Sequence, residues 1–228
     1  MHIRSIVAAS AAILMVSAVP AHAYNADAYS YAAGHMISVK QIPSVLGMKS
    51  NGYFNASPNS GRNWLCGNDD QRVDYPAAKY SFNISYNAKK NLQSSISVNV
   101  NQYASSQKAE AAWQEFSKKL SSCAGQKTGT ETYDDGSTDT WARNTTVGNV
   151  PLVTVTGVVS KFMDMNYTDS LSDPDEHSWA SDNYSVYSLV NDVIIVTNYY
   201  NGTELNLTAA QRKAVNMTAF NAVGAWVD

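Results

Sequence analysis

The chain is poor in the residues on which most site chemistry depends. It has two cysteines, Cys66 and Cys123, and four histidines among 228 residues. His2 and His22 lie in an N-terminal stretch that reads as a leader, so only His35 and His177 are left for general-base or metal work. Neither is accompanied by a Gly-x-Ser-x-Gly elbow, which leaves a secreted Ser-His-Asp hydrolase, the enzymatic alternative, little to build on. There is no Cys-x-x-Cys pair and no phosphate-cradling glycine loop. Charged residues are few, at 15%, and 16 basic side chains face 19 acidic ones with no basic stripe, so no nucleic acid is expected as a partner. Asp164, Asp169, Asp173, Asp175 and Glu176 offer oxygen ligands, but without the EF-hand order or its glycine they are expected in a solvated loop. The reading is therefore not an enzyme: no catalytic residue, no cofactor and no metal.

Long apolar runs are scarce as well. The first residues carry Arg4, an apolar stretch from Ile6 to Val19 that falls short of the ~20 residues needed to span a bilayer, and the small residues Ala21-His22-Ala23. This is the pattern of a secretory signal over residues 1–23, with cleavage after Ala23; an uncleaved anchor is the alternative. No cysteine follows the small residues, so a lipid anchor is not expected. The expectation is a secreted, extracellular protein with no stable membrane insertion after cleavage, a flexible lead-in over 24–36 and a single domain over 37–228. In an oxidising compartment two cysteines suggest one disulfide, with two buried free thiols as the alternative. Paired, they would close a loop of roughly 60 residues, for which the chain-entropy model gives about 4 kcal/mol.

What the chain does have is clear periodicity. Ile37 to Leu46 reads as a short helix that Gly47 stops, and Asn51 to Asp70 as a long surface loop. Tyr80, Phe82, Ile84 and Tyr86, then Leu92 to Asn101, alternate apolar with polar as two half-buried strands. Ala109, Ala112, Trp113, Phe116, Leu120 and Cys123 fall on one stripe of a helix over about 106–122. Asp134-Asp135-Gly136 is a turn leading into Thr138 to Arg143, Pro151 to Phe162 a Val/Thr-rich strand, and Met163 to Ala180 an exposed loop. Tyr184 to Val190 and Val193 to Tyr200 form a hairpin through Asn191-Asp192, with Val193-Ile194-Ile195-Val196 as a central, covered strand. Thr208-Ala209-Ala210-Gln211 is a capping box, opening a terminal helix over about 208–227. The expected fold class is α+β, a twisted antiparallel β-sheet packed with helices.

The order of elements, with AEAAWQEFSKKLSSCA over Ala109 to Ala124 and YSLVNDVIIVT over Tyr187 to Thr197, resembles the PknH-like extracellular sensor domain. That family comprises the outer domain of a mycobacterial kinase and free-standing actinobacterial secreted proteins. The resemblance runs from about Ile37 to Val227. It implies a sheet with helices and a large cleft for a signal, and it pairs Cys123 with Cys66, the cysteine after Trp64 and Leu65. One departure stands out: where the kinase member has a second disulfide bracketing the late hairpin, this chain has Asn183 and Tyr200 nearby.

The composition includes 14 tyrosines and 5 tryptophans. Core packing explains most of them, Trp113 and Trp226 outright, while Trp141, Tyr187 and Tyr199 are the candidate ligand-binding rings. The functional expectation is a non-enzymatic sensor-like binding domain with a cleft for an unknown small molecule, cell-wall fragment or envelope protein. A structural or interaction protein of the cell envelope is the further alternative.

Overall fold

The computed structural model describes residues 26–49, 52–58, 62–64, 72–74, 78–89, 93–132, 134, 136–148, 153–155, 158–172, 179–202 and 206–227. The leader expected over 1–23 lies outside them. So do Cys66, His177, Asp173, Asp175 and Glu176.

Helix α1 spans Ala26–His35 and is followed by two 3-10 turns, Val39–Gln41 and Ser44–Leu46. Strands β1 (Tyr53–Pro58), β2 (Arg62–Trp64), β3 (Arg72–Asp74), β4 (Ala78–Asn87) and β5 (Ser94–Tyr103) lead to helix α2, Ser106–Ser121. Strands β6 (Gly125–Thr132), β7 (Thr138–Gly148), β8 (Val153–Val155), β9 (Val158–Ser172), β10 (Trp179–Val190) and β11 (Val193–Asn201) precede helix α3, Ala209–Gly224. Among the described residues, nine strands form one sheet in the order β1-β4-β5-β11-β10-β9-β7-β6, with β8 paired to β9, while β2 and β3 pair separately. Every pairing is antiparallel. The α+β expectation holds at this level.

The sheet is packed on both faces. On one, Phe82, Tyr86, Ile96, Val98, Val100, Tyr184, Val186 and Ile195 meet Val215, Ala219, Ala222, Val223 and Trp226 of α3 and its end, with Ala32, Ile37 and Leu46 of the N-terminal segment. On the other, Tyr103, Tyr187, Leu189, Ile194, Val196 and Met163 meet Ala109, Trp113, Phe116 and Leu120 of α2. Strand β11, between β5 and β10, contributes to both because successive side chains point to opposite faces. Its Val193-Ile194-Ile195-Val196 run is buried throughout, as the absence of polar alternates required.

Helix α2 starts where the Ser105 hydroxyl accepts the Lys108 amide hydrogen bond. Helix α3 starts at Thr208, whose side chain accepts from the Gln211 amide while the Gln211 side chain accepts from the Thr208 amide. Asn191, at φ 49°, carries the β10–β11 turn in the left-handed region that asparagine tolerates.

Several expectations are corrected. The lead-in over 24–36 contains α1, in which Ala32 is fully buried and Tyr31 stacks on His35 with ring centroids 3.8 Å apart. The helix expected over Ile37 to Leu46 is two 3-10 turns instead. The segment from Asn51 to Asp70 holds β1, which pairs residue for residue with β4, and β2. The exposed loop expected from Met163 to Ala180 is mostly β9 and the start of β10. Within it Asp164 accepts from the Tyr184 hydroxyl and Asn166 is buried, so polar residues that suggested solvent lie inside the sheet.

Cys123 is buried at the end of the α2 stripe. Its expected partner, Cys66, lies outside the described residues, so the pairing is taken up below as a proposal. No helix of the described residues is long and apolar enough to cross a membrane.

Candidate functional site

Helix α2 covers only part of its face of the sheet. Beneath it the cross-strand positions are apolar, with Leu189 opposite Ile194 and Tyr187 opposite Val196. One register step further the sheet turns polar: Ser85 of β4 lies opposite Ser97 of β5, Ser97 opposite Asn198 of β11, and Asn198 opposite Ser185 of β10. The next step aligns Asn87, Ser95, Tyr200 and Asn183. Toward the β4 edge the polar character extends alongside the apolar patch, through the pairs Asn83 with Asn99 and Ser81 with Asn101. All share the face of Ile194 and Tyr187 because side chains alternate along each strand.

These side chains bond to one another across the strands. Asn83 Nδ2 donates to Asn99 Oδ1 at 2.6 Å, Ser81 Oγ to Asn101 Oδ1 at 3.1 Å, and Ser185 Oγ to Asn198 Oδ1 at 2.8 Å. Asn101, Asn183 and Ser185 are buried, whereas Asn83, Ser97, Asn99, Asn198 and Tyr200 are half-buried and reach the surface. An amide that accepts at Oδ1 still has two N–H donors, and a serine hydroxyl both donates and accepts. The tract is thus a neutral, semi-rigid array of donors and acceptors beside an apolar patch. It suits recognition of hydroxyls and amides.

Two rings on this face lie over glycines, Tyr200 within the tract and Trp141 further along the sheet. A Cβ at Gly202 would come within 2.9 Å of the Tyr200 hydroxyl, and one at Gly129 within 2.5 Å of the Trp141 indole. Trp141, on β7 opposite Gly129 of β6, also has the Arg143 guanidinium 6.0 Å from its ring. Of the expected binding rings, then, Trp141 is half-buried on the polar side of the sheet. Tyr187 shares that face but lies under α2, its ring 4.8 Å from that of Phe116, and Tyr199 is buried on the opposite face in the α3 core. The three are not brought together. Asn183 and Tyr200 are direct cross-strand partners, so the two positions noted in place of a second disulfide do face each other.

A second polar cluster lies on the α3 face. Tyr184 donates to Asp164 Oδ2 at 3.0 Å and meets Asn216 Oδ1 at 2.9 Å, with the Arg212 guanidinium 5.2 Å from its ring centroid. Burial, and then the Asp164 charge, push its phenol well above the ordinary range. Asp182, with no exposed surface, accepts the Leu207 amide at 2.6 Å and lies 4.0 Å from Arg212. These groups tie the start of α3 to β9 and β10. His35 bonds Tyr31 O at 2.6 Å and stacks on that residue's ring, 5.8 Å from Trp226, which makes it part of the packing of α1. Asp164 is engaged by Tyr184, and the Asp169 side chain is outside the described set. Among the described residues no group of three or more His, Cys, Asp or Glu is placed to hold a metal ion.

The polar tract was legible only in halves. The Asn and Ser alternates of β4 and β5 read from sequence as solvent-facing positions of half-buried strands, and nothing local shows that Asn198 and Ser185 will join their row.

No family model matches the chain and no curated protein does. Among solved structures it is similar to the crystal structure of the extracellular domain of PknH from Mycobacterium tuberculosis. The two share 14% identity and a TM-score of 0.51, over 86% of this chain and 95% of that one. The likeness is one of fold.

Proposed function

We propose that this chain is an exported, non-enzymatic, sensor-like binding domain, and that its ligand, a small molecule or cell-wall fragment rich in hydroxyls and amides, lies on the polar tract beside α2. The observation that carries this is the row Ser85, Ser97, Asn198 and Ser185 with Asn83 and Asn99 beside it: neutral side chains, all but the buried Ser185 half-buried, with Asn83 bonded to Asn99 and Ser185 to Asn198, on the face of the sheet that α2 covers only in part. Such groups recognise; they do not supply an acid, a base or a nucleophile of suitable strength. Trp141, further along the same face with its ring over Gly129, is separately suited to stacking on a sugar face. The fold shared with an extracellular domain supports the assignment to the outside of the cell, as does the leader-like N-terminus.

Isothermal titration against muropeptides and short cell-wall oligosaccharides tests the site. Binding is expected, and Asn99→Leu with Asn198→Leu should weaken it about tenfold or more while leaving the melting curve within a few degrees. Affinity unchanged in that double variant would remove the tract from the function. Export is tested by N-terminal sequencing of secreted protein, with Tyr24 expected first. The same proposal pairs Cys66 with Cys123, and an intact mass showing two alkylatable thiols in native protein would overturn that pairing.

A further inference from the structure

On the other side of the sheet from the polar tract, a groove of about 610 Å³ runs between the 3-10 segment after α1 and the exposed side of α3. Its walls are Val39, Gln41, Ile42 and Pro43 on one side and Met217 and Asn221 on the other, with Met48 below. Among the described residues the ionisable ones lining it are Lys40 and Lys89, with no carboxylate. Both lysines are exposed, and neither has an ion-pair partner among the described residues.

The groove is preformed. Asn221 Nδ2 donates to Gln41 O at 2.6 Å, which fastens the 3-10 segment to α3. The Lys89 amide donates to Gly47 O at 2.9 Å and the Lys49 amide to Asn87 O at 2.8 Å, which fix the segment to the end of β4. Gly47, at φ 64°, makes the left-handed turn this closure needs. Met217 is 45% exposed, a large flexible apolar side chain left open beside the lysines. Thioether side chains of this kind adapt to irregular apolar ligands.

From this juxtaposition we infer that the groove binds an amphiphile with one anionic head group, a carboxylate or a phosphate, whose apolar part lies along Met48, Ile42 and Met217. The volume falls within the usual range for small-molecule sites, roughly 300–1,000 Å³. The chain as a whole carries a net charge of −3, so a lysine-only lining is a local reversal of its field. This site is independent of the polar tract, and neither depends on the other being occupied.

Titration of the full chain with octyl phosphate and with octanoate, each below its micellar concentration, is the test, with octyl glucoside and inorganic phosphate as neutral and headgroup-only probes. At least one of the two anionic amphiphiles should bind, and which one does identifies the head group. The tighter of the two should lose about tenfold in affinity in Lys40→Gln/Lys89→Gln, whose substitutions are at exposed positions, and should weaken as salt is raised. Amide shifts in two-dimensional NMR should concentrate at 39–48, 89 and 217–221. Met217→Glu should reduce binding further. Absence of binding by both anionic probes, equal binding of octyl glucoside, binding of inorganic phosphate as tight as that of octyl phosphate, or an unchanged affinity in the double lysine variant would each overturn the proposal.

Discussion

Three buried tyrosines show how differently one side chain can be used. Tyr86 donates to Ile37 O at 2.9 Å and thereby ties the N-terminal segment to β4. Tyr184 bridges β9 and α3. Tyr103 has a buried hydroxyl with no hydrogen-bond partner among the described residues. Burial raises all three phenols above the ordinary value of 10.0. The unfolded chain therefore ionises first as pH rises. The stability these groups carry is complete below pH 10 and falls as pH climbs from there toward the folded values. Urea unfolding between pH 8 and 11.5 should show that fall. Tyr103→Phe should lessen it, and at pH 7 should be neutral or stabilising by about 1 kcal/mol, because it removes a desolvated hydroxyl that makes no bond. Tyr184→Phe should instead cost about 1–2 kcal/mol at pH 7, since the Asp164 carboxylate loses the hydroxyl that donates to it and Asn216 loses a polar neighbour. A Tyr103→Phe protein markedly less stable than its parent would show that the hydroxyl is satisfied in solution.

At the level of elements, α3 is held at its start by two devices of different strength. The capping box of Thr208 and Gln211 is exposed, whereas Asp182 is fully buried and accepts the Leu207 amide. Thr208→Ala should therefore cost about 1 kcal/mol. Asp182→Ala should cost about 3 kcal/mol, because the Leu207 amide is left buried without an acceptor and Arg212 loses its anion. Equal losses in chemical denaturation would mean that the buried carboxylate holds the helix no more strongly than the exposed cap. The cap was visible in the sequence, and so was the stripe of α2, since Trp113, Phe116, Leu120 and Cys123 need only helical spacing to be read. Asp182 was not, because its partner lies on another element 25 residues away. Strand β9 was missed for the same reason. Asp164 and Asn166 made the segment look like solvated loop, yet Asp164 is engaged by Tyr184 from β10 and Asn166 is buried. Helix α1 escaped because an alanine-, serine- and tyrosine-rich run has no marked apolar stripe, and its contacts with Phe54 and Trp226 are made at long range.

Across the whole molecule, the two helices divide the sheet unequally. Helix α3 and the N-terminal segment fill one face with the larger apolar cluster, while α2 covers part of the other. The smaller cluster relies on one helix, and the buried Cys123 sits where that helix ends. Paired as proposed with Cys66, it would tether the segment after β2 to the end of α2 and restrict the unfolded chain over a loop of roughly 60 residues. Reduction, or Cys66→Ser with Cys123→Ser, should lower stability by about 2–4 kcal/mol. The loss should be uneven. Amide exchange should rise first in the last turn of α2, around Lys118 to Cys123, because the apolar contacts of that turn belong to the smaller cluster. Ile194 and Ile195 in β11 should be last to exchange, being held by strands on both sides and by apolar layers above and below. Binding at the polar tract should weaken along with α2 order, while the lysine groove, framed by α3 and β4, should keep its affinity. Loss at both sites together would show that the two faces unfold as one unit, and that the disulfide stabilises the whole sheet and not the α2 side alone.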